Sequence, residues 1–319
     1  MKFVLLAGGV GGAKLADGIS GILPPEECTI IVNTGDDFYH YGLRLCTDLD
    51  TVCYTLAGIA NPQTGWGRAD ETWRVLENLH RLDAPDWFRL GDADLATHLE
   101  RTRLLHLGVP LSEITRRFCE RWGIRHTILP MTDMEVSTHV RTRDGRLLDF
   151  QDYFVRDGFQ PAVEKVVFSG SDAATPAPGV LEAIRASDVV LICPSNPLLS
   201  IDPILSVPGI ADAVRSRPVV GVSPIIGGKA VKGPLAKMVS EMYDTAPSAQ
   251  WVAEYYRQTC KLDGFILDEV DRACMDKLTG QGIICMASQT FMQTTADRLH
   301  LAEIVLSFCQ THFGRVVLS

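Results

Sequence analysis

The stretch that decides the fold is the apolar run FVLLA (3–7), which is followed directly by GGVGG (8–12). An unbroken apolar run that ends in glycines is typical of a strand buried on both faces of a parallel sheet. The next residues, 13–22, have a helical pattern that stops at two prolines, and TIIV (29–32) is a second strand candidate. The sequence therefore predicts a βαβ opening with the glycines at the turn from strand to helix.

Further short apolar runs predict more strands, with helical patterns between most of them. They lie at 127–130, 166–168, 189–192, 219–222, 265–267 and 282–286. We therefore predict an α/β fold with a doubly wound, mostly parallel Rossmann-like sheet. Residues 1–47 and 161–319 are predicted to form the α/β core. Residues 48–160 are predicted to form a mainly helical insertion, with a β-hairpin that turns at Asp144-Gly145.

Composition excludes several classes of protein. The 319 residues carry a formal net charge of −9, which argues against nucleic acid as the main partner. The nine cysteines form no C-x-x-C pair, so neither a disulfide framework nor a zinc site is expected. No apolar run reaches the roughly 18 residues that a membrane span needs, and we expect a reduced, cytoplasmic protein.

The glycine cluster is the first candidate site. Glycines at a strand-to-helix turn let backbone N–H groups approach a phosphate, which a helix N-terminus favours. The cluster at Gly8, Gly9, Gly11 and Gly12 lacks the spacing of the dinucleotide fingerprint and the Ser/Thr of a P-loop. A tight turn without a ligand is therefore the alternative to phosphate binding, and the ligand class stays open.

The second candidate is a set of four aspartates, Asp36, Asp37, Asp48 and Asp50, within fifteen residues. Asp36 and Asp37 follow a predicted strand, where open α/β sheets bind their ligands. Like charges destabilise one another unless a cation joins them, and carboxylate oxygens suit Mg²⁺. The alternative for Asp48 or Asp50 is a cap on the helix that begins near Thr51.

Two more loops follow predicted strands and carry polar side chains. Ser195 and Asn196 come after the run at 189–192, and Ser223 and Gly227 come after 219–222. Each loop alone suits an ordinary turn. Because the carboxyl ends of parallel strands meet at one edge, we expect the loops to form a common binding rim.

The insertion offers an aromatic surface beside a cation, in Trp87, Phe88 and Arg89. These side chains suit a planar ligand that carries an acidic group. The alternative is a surface ion pair of Arg89 with Asp92 or Asp94.

With these residues in place, the sequence resembles the 2-phospho-L-lactate transferase family of coenzyme F420 biosynthesis, whose bacterial form is also named phosphoenolpyruvate transferase. The matching stretches occur in order along the chain. They are GGVGGAKLADGI (8–19), VNTGDDFYHYGLRLCTDLDTVCYTLAG (32–58), DWFRLGDADLATH (86–98), PSNPLLSIDPILSVPGI (194–210) and SPIIGG (223–228).

The resemblance implies a homodimeric enzyme that moves a phospho-acyl group from a guanosine diphosphate conjugate to the deazaflavin Fo, with Mg²⁺ and release of GMP. It implies that the core of 1–47 and 161–319 is nucleotide-binding and that the insertion is acceptor-binding, with Asp50 and Arg89 as deazaflavin contacts. Asp48 and Asp50 are the implied catalytic residues, and the four aspartates match the acidic metal motifs. The remaining matches are to the nucleotide and its phosphates, at Gly8, Gly9, Gly11, Gly12, Ser195, Asn196, Ser223 and Gly227.

Two other functions are weighed against this transferase. One is a non-enzymatic regulator that binds a nucleotide sugar, and the other is an NAD-dependent dehydrogenase. The insertion motifs favour the transferase, and the broken dinucleotide fingerprint disfavours the dehydrogenase. Whether the donor carries phosphoenolpyruvate, phospholactate or phosphoglycerate stays open, because pocket shape decides it.

Overall fold

The structure is a computed structural model that describes residues 1–314 of the chain. Within that range there are fourteen strands and twelve α-helices. The strands are β1 (Phe3–Ala7), β2 (Cys28–Val32), β3 (Phe38–His40), β4 (Leu43–Leu45), β5 (Thr127–Pro130), β6 (Ser137–Thr142), β7 (Leu147–Asp149), β8 (Val163–Ser169), β9 (Val189–Ile192), β10 (Val219–Val222), β11 (Ile225–Ile226), β12 (Lys229–Ala230), β13 (Gly264–Asp268) and β14 (Ile284–Ser288). The helices are α1 (Gly9–Ser20), α2 (Thr47–Leu56), α3 (Arg74–Arg81), α4 (Asp92–His106), α5 (Leu111–Arg121), α6 (Val180–Ala186), α7 (Asp202–Ser206), α8 (Ile210–Arg215), α9 (Leu235–Tyr243), α10 (Ala249–Cys260), α11 (Met275–Gly280) and α12 (Thr295–Phe313).

The core of the fold is a seven-stranded sheet in which every neighbouring pair is parallel. Its strand order is β14-β13-β10-β9-β1-β2-β5. The chain builds the sheet in one direction from β1 to β5 and then in the other from β9 to β14. This reversal places the topological switch point between β1 and β9, where such sheets bind ligands. The predicted doubly wound α/β fold is confirmed.

The strand β1 shows why its sequence is apolar throughout. Phe3, Leu5 and Ala7 pack into the core on one face of the sheet, and Val4 and Leu6 pack into the core on the other. Both faces are covered by helices, so a strand in the middle has no solvent side.

The helices divide between these two faces. One core includes Leu15 of α1, Val52 of α2 and Val305 of α12, while α6, α8, α9 and α10 contribute to the other. Helix α1 packs against both α2 and α12, so it is the centre of its layer. Across residues 1–314, no helix combines the length and apolarity that crossing a bilayer requires.

The segment between β2 and β9 holds the predicted insertion. It contains α2 to α5 and an antiparallel sheet of order β7-β6-β8. The predicted hairpin is present as β6 and β7, which pair from His139–Asp149 to Arg141–Leu147 around the turn at Asp144-Gly145. A second hairpin, β3 and β4, carries the chain from the end of β2 to the start of α2.

We expected a core of residues 1–47 and 161–319 and an insertion of residues 48–160. Two strands do not follow this division. Strand β5 belongs to the segment 48–160, yet it pairs with β2 at the edge of the central sheet because Ile128 completes that core. Strand β8 belongs to the segment 161–319, yet it pairs with β6. Its exposed Glu164 and Lys165 suit a half-buried sheet and not one covered on both faces.

Candidate functional site

A cavity of about 750 Å³ opens at the carboxyl ends of β1, β2, β9 and β10. The sequence analysis assigns thirteen residues to catalysis, metal binding or substrate binding, and ten of them line this cavity. These are Gly8, Gly9, Gly11, Asp36, Asp48, Asp50, Arg89, Ser195, Asn196 and Ser223. The structure places Gly12, Asp37 and Gly227 outside this lining. The structure therefore brings ten of the predicted site residues together at one cavity and places three of them elsewhere. That this cavity binds a ligand stays a prediction.

The glycines allow neighbouring segments of the protein to approach the end of β1. A Cβ atom at Gly8 would lie 2.5 Å from Asp48 Oδ2, and one at Gly11 would overlap the carbonyl oxygen of Pro194. A Cβ at Gly12 would lie 2.5 Å from Ser195 Oγ, which is why Gly12 is a packing position beneath the cavity wall. Sequence reasoning assigned these glycines to ligand approach, whereas close packing already requires three of them.

Ser195 joins the glycine loop to the loop after β9. Its hydroxyl donates to the carbonyl of Gly8 at 2.8 Å and accepts from the Gly8 N–H at 3.1 Å. Asn196 Oδ1 accepts from the N–H of Leu198 at 2.9 Å and so begins the short helical turn Pro197–Ile201. These polar groups hold the wall of the cavity in shape.

Of the two site residues predicted after β10, Ser223 lines the cavity and Gly227 does not. The hydroxyl of Ser223 donates to the carbonyl of Ile225 at 2.8 Å. Gly227 lies at the turn between β11 and β12, where its N–H donates to Asp271 Oδ2 at 3.0 Å. Gly227 is therefore occupied by this turn, outside the cavity lining.

Asp36 and Asp48 form a buried carboxylate pair on the cavity wall. Burial, and then the charge of Asp48, hold the pKa of Asp36 well above its usual range. Burial raises the pKa of Asp48 to about 6, against hydrogen bonds from Asn33, the Gly9 N–H and Ser200. Asp36 Oδ1 is buried and accepts no hydrogen bond from any residue in 1–314. The pair is thus held ionised only at a cost, which a bound cation would remove.

Asp37 is separated from that pair although it is the next residue. Its carboxylate lies 3.4 Å from the guanidinium of Arg44 on β4, and both side chains are buried. Burial raises the pKa of Asp37 to about 7, and the charge of Arg44 opposes that rise. The expected cluster of four aspartates is therefore divided, because Asp37 has a cation of its own outside the cavity lining.

Asp50 is also paired with a cation. Both of its oxygens accept hydrogen bonds from Arg101 of α4, and the Arg101 Nη1 to Asp50 Oδ2 distance is 3.0 Å. His98, one turn earlier on α4, lies 3.7 Å from Asp50 and 3.3 Å from Asp94. Arg101 is only 2% exposed, so this network fixes the Asp50 carboxylate at the cavity wall. A side chain held this way is suited to orienting a ligand.

Sequence reasoning did not identify Arg101 as part of the site. The signal that was present is its spacing of three residues from His98, which puts both on one face of a helix. Nothing in the sequence showed that this face would meet α2, since 51 positions separate Arg101 from Asp50.

The cavity has an aromatic wall, which is formed by Trp87 and Phe88 of the insertion. Phe88 packs edge-on against Phe38 with ring centroids 4.9 Å apart, and Trp87 packs against His40 at 5.3 Å. Arg89 lies over the ring of Trp73 at 4.6 Å.

The two acids that were the alternative partners of Arg89 are engaged elsewhere. Asp92 accepts from Thr72 and from the N–H groups of Arg74 and Val75. Asp94 accepts from the hydroxyl of Tyr54 at 2.7 Å. Arg89 therefore remains available to a ligand.

A second aromatic group, which the sequence patterns did not indicate, lines the cavity from the insertion. Phe150 stacks on Phe154 at 5.4 Å, and Phe154 stacks on Phe159 at 5.9 Å. The cavity thus has apolar surfaces for planar groups at two places, with the carboxylates and the glycine loop on its remaining walls.

Comparison with known proteins agrees with this geometry. Residues 3–296 match the family described as 2-phospho-L-lactate transferase CofD. The chain is 44% identical over 318 residues to the phosphoenolpyruvate transferase of Streptomyces coelicolor, which covers 96% of this chain and 99% of that protein. It is 48% identical over 283 residues to the phosphoenolpyruvate transferase of Thermobifida fusca, covering 85% and 87%.

Solved structures support the fold. A crystal structure of a UPF0052 family protein from Bacillus halodurans superposes with a TM-score of 0.62 at 16% identity. The match covers 96% of this chain and 98% of that one. At this identity the likeness concerns architecture alone.

The Asp50–Arg101 pair yields a prediction about stability. Arg101→Met should lower the free energy of unfolding by about 3–5 kcal/mol, because it leaves a buried carboxylate without its cation. Chemical denaturation measures this change. The matched control is Arg103→Met on the same helix, which removes an exposed pair with Glu100 and should leave stability unchanged. Equal stability of the two variants would contradict a buried ion pair at Asp50.

Proposed function

The chain belongs to the 2-phospho-L-lactate transferase family of coenzyme F420 biosynthesis, and from that membership we propose the reaction it catalyses. A phospho-acyl group moves from a guanosine diphosphate conjugate to the ribityl hydroxyl of the deazaflavin Fo, and GMP is released. The names of the similar relatives support phosphoenolpyruvyl as the acyl group, with 2-phospholactyl as the second candidate. Family membership makes the chain a transferase enzyme and leaves the regulator without support.

One observation carries the proposal. A single cavity brings the glycine loop, the Asp36–Asp48 pair, Asp50 and the aromatic wall with Arg89 together. A transferase with a phosphorylated donor and a planar acceptor needs these surfaces side by side, because the two substrates must react within the same cavity.

The chemistry follows from the order of these surfaces. The hydroxyl oxygen of the acceptor attacks the phosphorus that carries the acyl group, and the bond from that phosphorus to the GMP oxygen breaks. Asp50, fixed by Arg101, orients the hydroxyl and accepts its proton late in the step. Phosphoryl transfer of this kind depends mainly on positioning and on neutralising the charge of the phosphate oxygens.

The residues present fit Mg²⁺ at one pair of carboxylates. Among residues 1–314 no group of three or more His, Cys, Asp or Glu side chains could hold a metal ion. Mg²⁺ is commonly held by one or two carboxylates with phosphate oxygens and water completing the shell. The unpartnered Asp36 Oδ1 and the raised pKa values of Asp36 and Asp48 suit this arrangement. We therefore assign Asp36 and Asp48 as its ligands, and a bound Mg²⁺ would neutralise phosphate charge.

This assignment narrows the four aspartates of the sequence prediction. Asp37 and Asp50 already have Arg44 and Arg101 as their cations. Both predicted catalytic residues keep a role in the proposed reaction. Asp48 acts as a ligand of the metal, and Asp50 acts on the hydroxyl of the acceptor. A homodimer remains part of the proposal on family grounds, and a cytoplasmic location remains part of it because all nine cysteines are free thiols.

The reaction is tested by mass spectrometry of the products. The purified protein receives Fo, Mg²⁺ and one guanosine diphosphate conjugate at a time, carrying phosphoenolpyruvate, phospholactate or phosphoglycerate. We expect GMP and an Fo phosphodiester of the matching mass, in largest amount with phosphoenolpyruvate. Reactions without Fo are the control. Absence of the phosphodiester with all three donors would contradict the proposed function.

The metal assignment predicts that Asp36→Asn and Asp48→Asn each lower kcat by about 100-fold, because a metal contributes several kcal/mol of charge stabilisation. EDTA should abolish turnover of the native protein, and Mg²⁺ should restore it. Asp212→Asn, at an exposed ion pair far from the cavity lining, is the matched control. Full turnover in excess EDTA would refute the assignment.

The acceptor site predicts that Arg89→Ala raises the KM for Fo by about tenfold, which is the range of a partly desolvated cation–π contact. The affinity for GMP should stay the same. Arg81→Ala, also exposed in the insertion but away from the cavity lining, serves as the control. Steady-state kinetics with Fo varied at saturating donor measures the change, and an unchanged KM would remove Arg89 from the acceptor site.

A further inference from the structure

Two lysines line the cavity that no step above uses, Lys14 and Lys232. Lys14 lies on α1, just after the glycine loop, and its Nζ donates to the carbonyl of Met292 at 2.6 Å. Lys232 lies in the loop after β12, and its Nζ donates to the carbonyl of Thr64 at 2.6 Å. Each ammonium has three N–H donors and uses one of them on a neutral carbonyl.

Neither ammonium has an anionic partner in the part of the chain that the structure describes. The acid that acts on Lys14 is Asp297, and its carboxylate accepts from the N–H groups of Gln293 and Thr294 as the cap of α12. The further cation beside Lys14 is Arg298, which is paired with Asp17 at 2.9 Å. The two lysines are therefore the unpaired charges in this part of the cavity wall.

These unpaired charges act on each other. Burial, then Arg298 and then Lys232 lower the pKa of Lys14. The packing also brings Lys232 close to α1, because a Cβ atom at Gly65 would lie 2.7 Å from Val10 Cγ1 and 3.6 Å from Lys232 Nζ. Like charges that converge on a cavity destabilise the protein unless an anion binds between them. The carboxylates of Asp36 and Asp48 line the same cavity and also lack a counter-ion within residues 1–314. Groups of both charges therefore face the cavity, the carboxylates at Asp36 and Asp48 and the ammonium groups at Lys14 and Lys232.

The position of the two lysines indicates which anionic group of the donor lies beside them. Helix α1 packs against α2, which carries Asp48 and Asp50, and also against α12, whose preceding loop contacts Lys14. The phosphorus under attack must lie beside Asp48 and Asp50. The other anionic groups of the donor are the carboxylate of its acyl group and the phosphate that leaves with the nucleoside. Lys14 lies on α1 just after the glycine loop, where a helix N-terminus favours the phosphate.

We propose that Lys14 and Lys232 form an anion subsite that binds the phosphate of the departing nucleoside monophosphate. The inference rests on the proposed function for the identity of the nucleotide. Lysine binds phosphate as a point charge, and charge grows on this phosphate as its bond to the transferred phosphorus breaks. Preorganised cations at that place stabilise the transition state more than the bound donor.

The subsite is tested by calorimetry of the whole protein with two probes, GMP and inorganic pyrophosphate, at low salt. Lys14→Gln and Lys232→Gln should each raise the Kd for both probes by about tenfold, since a charge-assisted contact of about 1.5 kcal/mol or more is lost. Lys229→Gln is the matched control, because Lys229 is exposed three residues from Lys232 and outside the cavity lining.

The outcomes separate the subsite from the proposed function. Unchanged Kd values in both lysine variants, or no binding of either probe by the native protein, would overturn the subsite. Loss of pyrophosphate binding in these variants supports it even if the mass-spectrometric test yields no product, in which case the proposed function alone fails. Lys14→Arg keeps the charge and should keep most of the affinity, which distinguishes charge from a folding defect.

Discussion

The constraint on which the site depends is the close approach of three segments at the carboxyl end of β1. Gly8, Gly11 and Gly12 have no Cβ atoms, and this lets Asp48 and the loop from Pro194 to Ser200 contact the turn directly. The reciprocal hydrogen bonds between Ser195 and Gly8 then fix that contact. Because β1 and β9 flank the reversal of strand order, the contact closes the floor of the cavity where the two halves of the sheet meet.

The charges around this floor are arranged by pairing. Asp37 with Arg44 and Asp50 with Arg101 are buried pairs of opposite charge, and each pairing fixes the orientation of its carboxylate. Asp36 with Asp48, and Lys14 with Lys232, are pairs of like charge on the same cavity. The protein alone leaves both like-charged pairs uncompensated. A ligand that combines a cation with phosphate groups would compensate both of them at once, which is the electrostatic reason for favouring a metal–phosphate substrate.

The parts predicted from the sequence are those fixed by local patterns. Buried parallel strands need apolar runs such as 3–7 and 189–192, and a turn such as Asp144-Gly145 marks a hairpin, so both are recognisable without tertiary contacts. The sequence did not predict that Asp37 and Asp50 would be separated from Asp36 and Asp48. That separation depends on Arg44 and Arg101, which contact Asp37 and Asp50 only in the folded chain. The run at 166–168 is apolar, and we therefore expected it in the central sheet. The exposed Glu164 and Lys165 just before it suit the half-buried sheet that β8 joins instead.

The aromatic wall, the carboxylate pair and the two lysines are three surfaces of the same cavity, and their places in the fold set an order for the groups of the substrates. The aromatic wall and Arg89 lie on the insertion, and Asp36 and Asp48 lie at the end of β2 and on α2. Lys14 lies on α1, and Lys232 lies in the loop after β12. Under the proposed function, acceptor, transferred phosphorus and leaving phosphate take these places in that order. Under the same proposal, the Asp50 carboxylate held by Arg101 and the Ser195 hydroxyl held by Gly8 belong to a preorganised cavity, which avoids the reorganisation that water would require.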